Sequence, residues 1–179
     1  MVVRAVFHSL LAVLLLLVAC KQSDVESKWI SIKTRIRDEF PSVRHMAIAD
    51  LRSLLEQKGG AQPVLLDVRD AREFAVSHLQ GAQRAVDLNA ALAVLKDVDK
   101  DSLVVAYCSV GYRSSRLAQE LGARGYSNVF NLEGSIFEWA NRGHAVYRGA
   151  DPAKGVHPYD EEWGRLLTRE MRQYEAEGR

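Results

Sequence analysis

Short strand-like segments, separated by stretches of helical periodicity, restrict this chain more than any other feature. VLLD (Val64–Asp67), the run within SLVVAY (Ser102–Tyr107) and NVFNL (Asn128–Leu132) are too short for ordinary helices. VLLD is an unbroken apolar run and so reads as a strand buried on both faces, and the other two read as strands as well. AREFAVSHL (Ala71–Leu79), a segment through Leu92 and Leu95, the stretch up to Arg124 before Gly125, and SIFEWANRG (Ser135–Gly143) read as helices. AVDL (Ala85–Leu88) reads as one more short strand, and Gly81 and DKD (Asp99–Asp101) as turns. Strands alternating with helices at this spacing predict an α/β fold, a parallel sheet with helices on both faces. Such folds bind ligands beyond the carboxyl ends of their strands, where Asp67 and Cys108 both fall.

Outside this alternation, Trp29, Ile32, Ile36 and Phe40 recur at helical spacing until Pro41 stops the pattern. Leu51, Leu54 and Leu55 mark a helix ending near Gly59 and Gly60. After the last predicted helix, Tyr159, Trp163, Leu166 and Leu167 punctuate a polar tail that ends in a charged helical pattern. The tail reads as packing back on the N-terminal helix, or as a docking surface for a partner. The expected organisation is an N-terminal helical extension over 29–46, a central domain over 47–148 and a tail over 149–179.

The first residues read as a targeting segment. Arg4 precedes the apolar run Leu10–Ala19, which is shorter than the about 20 residues a bilayer-spanning helix needs. Its end, LVAC (Leu17–Cys20), resembles the lipobox of bacterial lipoproteins. That resemblance implies a signal peptide over 1–19, acylation of Cys20 and a polar tether over 20–28. It further implies a bacterial cell-envelope location, lipid-anchored and facing the periplasm. Lys21 after the cysteine points to the outer membrane rather than the inner.

The chain has two cysteines, so an acylated Cys20 leaves Cys108 alone. A lone thiol is either a small buried hydrophobe or a reactive group. Its surroundings favour the second. Cys108-Ser109-Val110-Gly111-Tyr112-Arg113 follows a predicted strand and opens a predicted helix. Gly111 permits a tight turn with inward N–H groups, which form an anion-binding concavity. The helix dipole and Arg113 add positive potential, and Ser114 or Ser115 is positioned to cap the helix. A thiol in that field is expected to be largely thiolate.

The segments LLDVRDAREFAVSHLQGA and VVAYCSVGYRSSRLAQELGARGYSNVFNLEGSIFEWANRG together resemble the two signature regions of single-domain rhodaneses. Asp67, Arg69, Glu73, Phe74, His78, Gly81 and Ala82 match the first. Cys108, Gly111, Arg113, Ser114, Gly134 and Trp139 are among the matches to the second. Ser77 and Ser135 stand where glycines are common, and Val110 and Tyr112 make the loop less basic than in some members. The resemblance implies a three-layer rhodanese-like fold and a sulfurtransferase with a Cys108 persulfide. Its partners would be a small sulfur-anion donor and a thiol or cyanide acceptor. No metal or cofactor is required. Phosphatase and arsenate-reductase relatives use C-x5-R; the C-x4-R spacing here gives a smaller cradle. The competing reading is a non-catalytic module that docks an envelope partner or carries sulfur.

Asp67 and Arg69 are expected to support the loop, with Asp67 contacting Arg113. Arg69 and Glu73 are spaced as a helix pair. His78 is expected to be structural, Phe137 and Trp139 to be core, and Arg116 to be solvated beside the loop. The net charge of +1 gives no electrostatic basis for nucleic-acid binding, and a monomer is expected.

Overall fold

A computed structural model describes residues 24–57 and 59–176. The predicted signal peptide, the acyl-accepting Cys20 and the first part of the tether lie outside the described residues. Helix α1 (24–39) is followed by β1 (Arg44–Met46), α2 (Ile48–Glu56), β2 (Val64–Asp67) and α3 (Ala71–Val76). Then come β3 (Gln83–Arg84), α4 (Leu88–Val94), β4 (Val104–Tyr107), α5 (Tyr112–Ala123), β5 (Val129–Leu132) and α6 (Ser135–Asn141). A hairpin of β6 (Val146–Arg148) and β7 (Asp151–Ala153) precedes a short helix α7 (Glu161–Gly164).

Among the described residues, five strands form one sheet in the order β1-β5-β4-β2-β3, every pairing parallel. The pleat divides the core in two. Leu65, Val105, Tyr107 and Leu132 face a cluster completed by Ile48 and Leu51 of α2 and by Ile136 and Phe137 of α6. Leu66, Val104, Ala106 and Cys108 face the other, closed by Leu117 and Leu121 of α5 and by Ile36 of α1. This is the expected three-layer α/β arrangement.

Local differences from the sequence reading have simple causes. The sheet begins at Arg44, inside the predicted helical extension, because Arg44–Met46 adds to the β5 edge. Helix α3 ends at Val76: Ser77 is extended, and His78 exchanges backbone hydrogen bonds with Tyr147. The strand expected at Ala85–Leu88 is instead Gln83–Arg84, since the Asp87 side chain caps α4 and draws Leu88 into the helix. Among its described residues the tail forms no long charged helix. It runs through α7 and a 3-10 turn (Arg169–Met171), and Val156 pairs with Met171 and Gln173 through the backbone.

The tail is part of the core. Val156, Leu166 and Leu167 are buried in the cluster of α2 and α6, with Trp163 and Trp29 packed against it. Asn141 of α6 donates to the Leu166 carbonyl at 2.7 Å and accepts from the Thr168 N–H at 2.9 Å. Leu167→Ala is therefore expected to cost about 2–5 kcal/mol, as for other buried leucines. Equilibrium urea unfolding reads this as a lowered midpoint; an unchanged midpoint would mean that the tail packs without stabilising the domain.

Candidate active site

Cys108 is the first residue past β4, and Gly111 is the N-cap of α5. Gly111 adopts φ +115°, which disfavours any side chain, and a Cβ there would lie 3.2 Å from Asn131 Nδ2. The turn returns the Gly111 N–H to Cys108 Sγ at 3.2 Å. The sulfur thus sits at the N-terminus of a twelve-residue helix with a backbone donor on it.

The backbone of the loop is held from behind by the start of α6. Ile136 N–H donates to the Cys108 carbonyl at 3.2 Å and Phe137 N–H to the Ser109 carbonyl at 3.1 Å. Cys108 N–H donates to Ser135 Oγ at 3.1 Å, and that hydroxyl donates to the Leu132 carbonyl. Ser135 has φ +51°, a conformation in which glycine is at ease. The serine at this glycine-like position bears the backbone strain and provides a hydrogen-bond acceptor for Cys108.

Neither serine of the loop caps α5 as expected. Ser115 Oγ donates back to the Gly111 carbonyl at 2.8 Å. Ser114 Oγ donates to Asn131 Oδ1 at 2.7 Å, and Asn131 Nδ2 lies 3.1 Å from His45 Nδ1. A polar chain therefore runs from the loop to the edge strand β1. Burial outweighs the other influences on His45 and lowers its pKa.

The partner of Arg113 is the main correction to the sequence reading. Asp67 does not contact it. Asp67 and Arg69, both wholly buried, pair with each other at 2.6 Å, and Arg69 also donates to the Ser77 carbonyl. Arg113 instead forks onto Glu73, Nη1 to Oε2 and Nη2 to Oε1, each at 2.8 Å. Arg113 Nη2 and the Glu73 carboxylate also meet at Ser109 Oγ, at 3.0 and 2.9 Å. Glu73 therefore joins the site through Arg113, forty positions away in sequence, rather than pairing with Arg69. The available signal was the capping box Asp70–Glu73, which fixes Glu73 in the first turn of α3.

Burial raises the Cys108 pKa, but the Arg113 charge and hydrogen bonds from Ser114 and Gly111 outweigh it, leaving the thiol lower than usual. For Glu73, burial also raises the pKa, and Arg113 with the Asp70 N–H more than compensates. A lowered thiol pKa next to an ordered N–H is the electrostatic arrangement of a nucleophilic sulfur.

The remaining residues fall as expected. His78 stacks on Phe74, and its Nε2 accepts from the Gly149 N–H, a structural role. Phe137 and Trp139 are core residues, and Arg116 is exposed. Val110 is buried, and the Tyr112 hydroxyl donates to the Glu39 carboxylate of α1.

The rhodanese-like domain model matches residues 48–142. The chain belongs to the rhodanese-like family. It is 30% identical to the Bacillus subtilis protein YqhL over 95 residues, covering 51% of this chain and 75% of that one. It is 32% identical to the Pseudomonas putida thiosulfate sulfurtransferase GlpE over 85 residues, covering 48% and 74%. The crystal structure of a thiosulfate sulfurtransferase from Pseudomonas aeruginosa superposes with a TM-score of 0.57 at 19% identity, over 75% of this chain and 25% of that one. That likeness concerns the fold. Helix α1 and the tail beyond Arg142 lie outside the matched domain.

Two results are expected from this electrostatic arrangement. Ultraviolet titration of the thiolate should give Cys108 a pKa below the ordinary cysteine value of about 8.5, and Ser114→Ala should raise it. A wild-type value at or above the ordinary one would contradict the arrangement. Glu73→Ala leaves Arg113 and Ser109 without their shared acceptor, and unfolding should show a loss of about 3 kcal/mol at neutral pH. Because the folded-state pKa of Glu73 is lowered, its contribution is present above the unfolded value and is lost as pH falls through the folded one. The wild type and the variant should therefore converge in stability in acid.

Proposed function

We propose that this chain is a sulfurtransferase in which Cys108 carries a sulfane sulfur as a persulfide. The observation that carries this reading is the Cys108 sulfur itself: buried, yet with a lowered pKa and the Gly111 N–H upon it. In the first half-reaction the Cys108 thiolate attacks the outer sulfur of thiosulfate. A new S–S bond forms, the donor's S–S bond breaks, and its electron pair leaves on sulfite. In the second, cyanide or a thiolate attacks the terminal sulfur, and the bond pair returns to Cys108. No net oxidant is consumed, and the enzyme alternates between thiolate and persulfide.

The persulfide is an anion, so the helix N-terminus and the Gly111 N–H that favour the thiolate favour it as well. Arg113, gripped by Glu73, contributes its charge and the shape of the loop. The C-x4-R spacing and the relatives named as thiosulfate sulfurtransferases support the same reading.

Incubation with thiosulfate should add one sulfur to Cys108 by mass spectrometry, and cyanide should remove it as thiocyanate. Cys108→Ser should fold and lose turnover. Arg113→Ala should reduce kcat as well as raise KM, because it loosens the loop, with Arg113→Lys intermediate. Sulfur transfer by Cys108→Ser at the wild-type rate, or reduced protein that no sulfane donor loads, would replace this reading with a docking or sulfur-carrier module.

The proposal extends to location. LVAC after the apolar run supports acylation of Cys20 and a periplasm-facing anchor, with the outer membrane favoured by Lys21. Two or more acyl chains would suffice to hold a domain of this size at a bilayer. Cys20→Ala should abolish metabolic fatty-acid labelling; undiminished labelling would remove the anchor from the proposal.

A further inference from the structure

The floor of one cavity is the cysteine loop, but its walls come from outside the family domain. The cavity has a volume of about 340 Å³. Val110, Tyr112 and Arg113 line it from the loop, Ile32 and Arg35 from α1, and Tyr159 and Trp163 from the tail. Its size is at the lower end of the about 300–1,000 Å³ range of small-molecule pockets. Such a volume far exceeds what one small inorganic anion needs, and its walls are mostly apolar.

Two features mark these walls as built for the site, one on the tail and one on α1. Tyr159 is one of only two non-glycine residues with positive φ among the described residues, at +69°, and its N–H is held by Nδ1 of the buried His157 at 3.0 Å. An uncommon backbone conformation of this kind persists where the surroundings over-determine it. The ring it projects lies 5.3 Å from the Arg113 guanidinium carbon, while Arg113 donates its fork to Glu73. The second feature is charge. Arg35, loosely paired with Glu39 at 3.9 Å and largely exposed, joins Arg113 as a cation at an otherwise apolar cavity.

We propose that this cavity selects an organic sulfur anion as sulfur donor: an apolar body of about the size of an aromatic ring, ending in an anionic sulfane group. The inference rests on the sulfur-transfer reading of Cys108. The apolar body would lie against Ile32, Tyr159 and Trp163, with the anionic end toward Arg35 and the cysteine loop. For a thiosulfonate the step is balanced: the Cys108 thiolate bonds to the terminal sulfur, the S–S bond to the sulfonyl sulfur breaks, and its electron pair leaves on the sulfinate. An inorganic donor would gain nothing from the apolar walls, so specificity would reside in residues that the shared domain does not contain.

The test compares benzenethiosulfonate with thiosulfate as donors for the full-length protein, with cyanide as acceptor. The kcat/KM of the wild type should favour benzenethiosulfonate by about tenfold or more, the worth of modest apolar contact in a pocket. Trp163→Ala should erase most of that preference. Tyr159→Gly should do the same without backbone strain, since glycine accepts the positive φ. A wild type without the preference overturns the proposal. So does a preference ratio unchanged in both variants while the two kcat/KM values fall together, because that is loss of structure rather than of selectivity. Calorimetry separates this failure from failure of sulfur transfer. Benzenesulfonate, an unreactive anion of the same shape, should bind Cys108→Ser protein and bind more weakly when Trp163→Ala is added. Binding without any Cys108 persulfide from either donor would leave the cavity and overturn the chemistry; no binding would overturn the cavity.

Discussion

The Glu73 carboxylate organises the site. It is wholly buried, and it accepts from the Asp70 N–H, from Ser109 Oγ and from both terminal nitrogens of Arg113. Four donors satisfy the four lone-pair directions of an ionised carboxylate, which is what allows the charge to stay buried. These donors come from the N-cap of α3, the cysteine loop and the first turn of α5. One anion thus fixes the first helix turn after β2 against the loop after β4. The second buried pair, Asp67 with Arg69, joins the β2 end to the Ser77 carbonyl and leaves the loop to Glu73.

Once the loop is fixed, its electrostatics follow. A thiolate at a burial of this depth would ordinarily be disfavoured, since Cys108 is 1% exposed. The compensation comes from the Arg113 charge and from groups already in place when the thiolate forms, the Gly111 N–H and the α5 N-terminus. Ser135 does a different job from the opposite side, anchoring the backbone of the loop. In a left-handed conformation it binds the Cys108 N–H, so the residue's own backbone donor is held away from its sulfur. The backbone strain at Ser135 is of order 1–3 kcal/mol, offset by two hydrogen bonds that would otherwise be missing from buried groups.

Much of this was legible in the residues because it is local. Of the three central strands, β2 and β4 carry their own signal in apolar runs and β5 in a short segment between turn residues, and the cysteine loop shows glycine, arginine and a helix start within a few positions. The less legible parts are those decided across the sheet. Arg44–Met46 is a strand only because β5 presents an open edge, and its three residues hold too little pattern to show it. Asp67, at the end of β2, was the expected partner of Arg113, and Glu73 takes its place. The sequence does not show that Arg69, wholly buried, takes Asp67 for itself. The tail's leucines were visible as apolar, but their destination beside Ile136 and Phe137 was not.

Helix α1 shows how an addition to a shared domain changes what the domain meets. Ile36 and Phe40 are buried on the Cys108 side of the sheet, each burial worth about 1.5–3 kcal/mol. Lys33–Glu138 and Arg37–Glu133, both at 2.6 Å, with the bond from Tyr112 to Glu39, set its orientation while contributing less than the apolar contacts. The apolar face that anchors α1 therefore continues, through Ile32, into the wall of the cavity. Packing that stabilises the extension and packing that shapes the approach to the cysteine loop are thus one surface. Any substitution that reshapes the cavity from the α1 side draws on the same contacts that hold α1 in place, whereas Tyr159, 44% exposed and on the tail, shapes the cavity at little cost to the core.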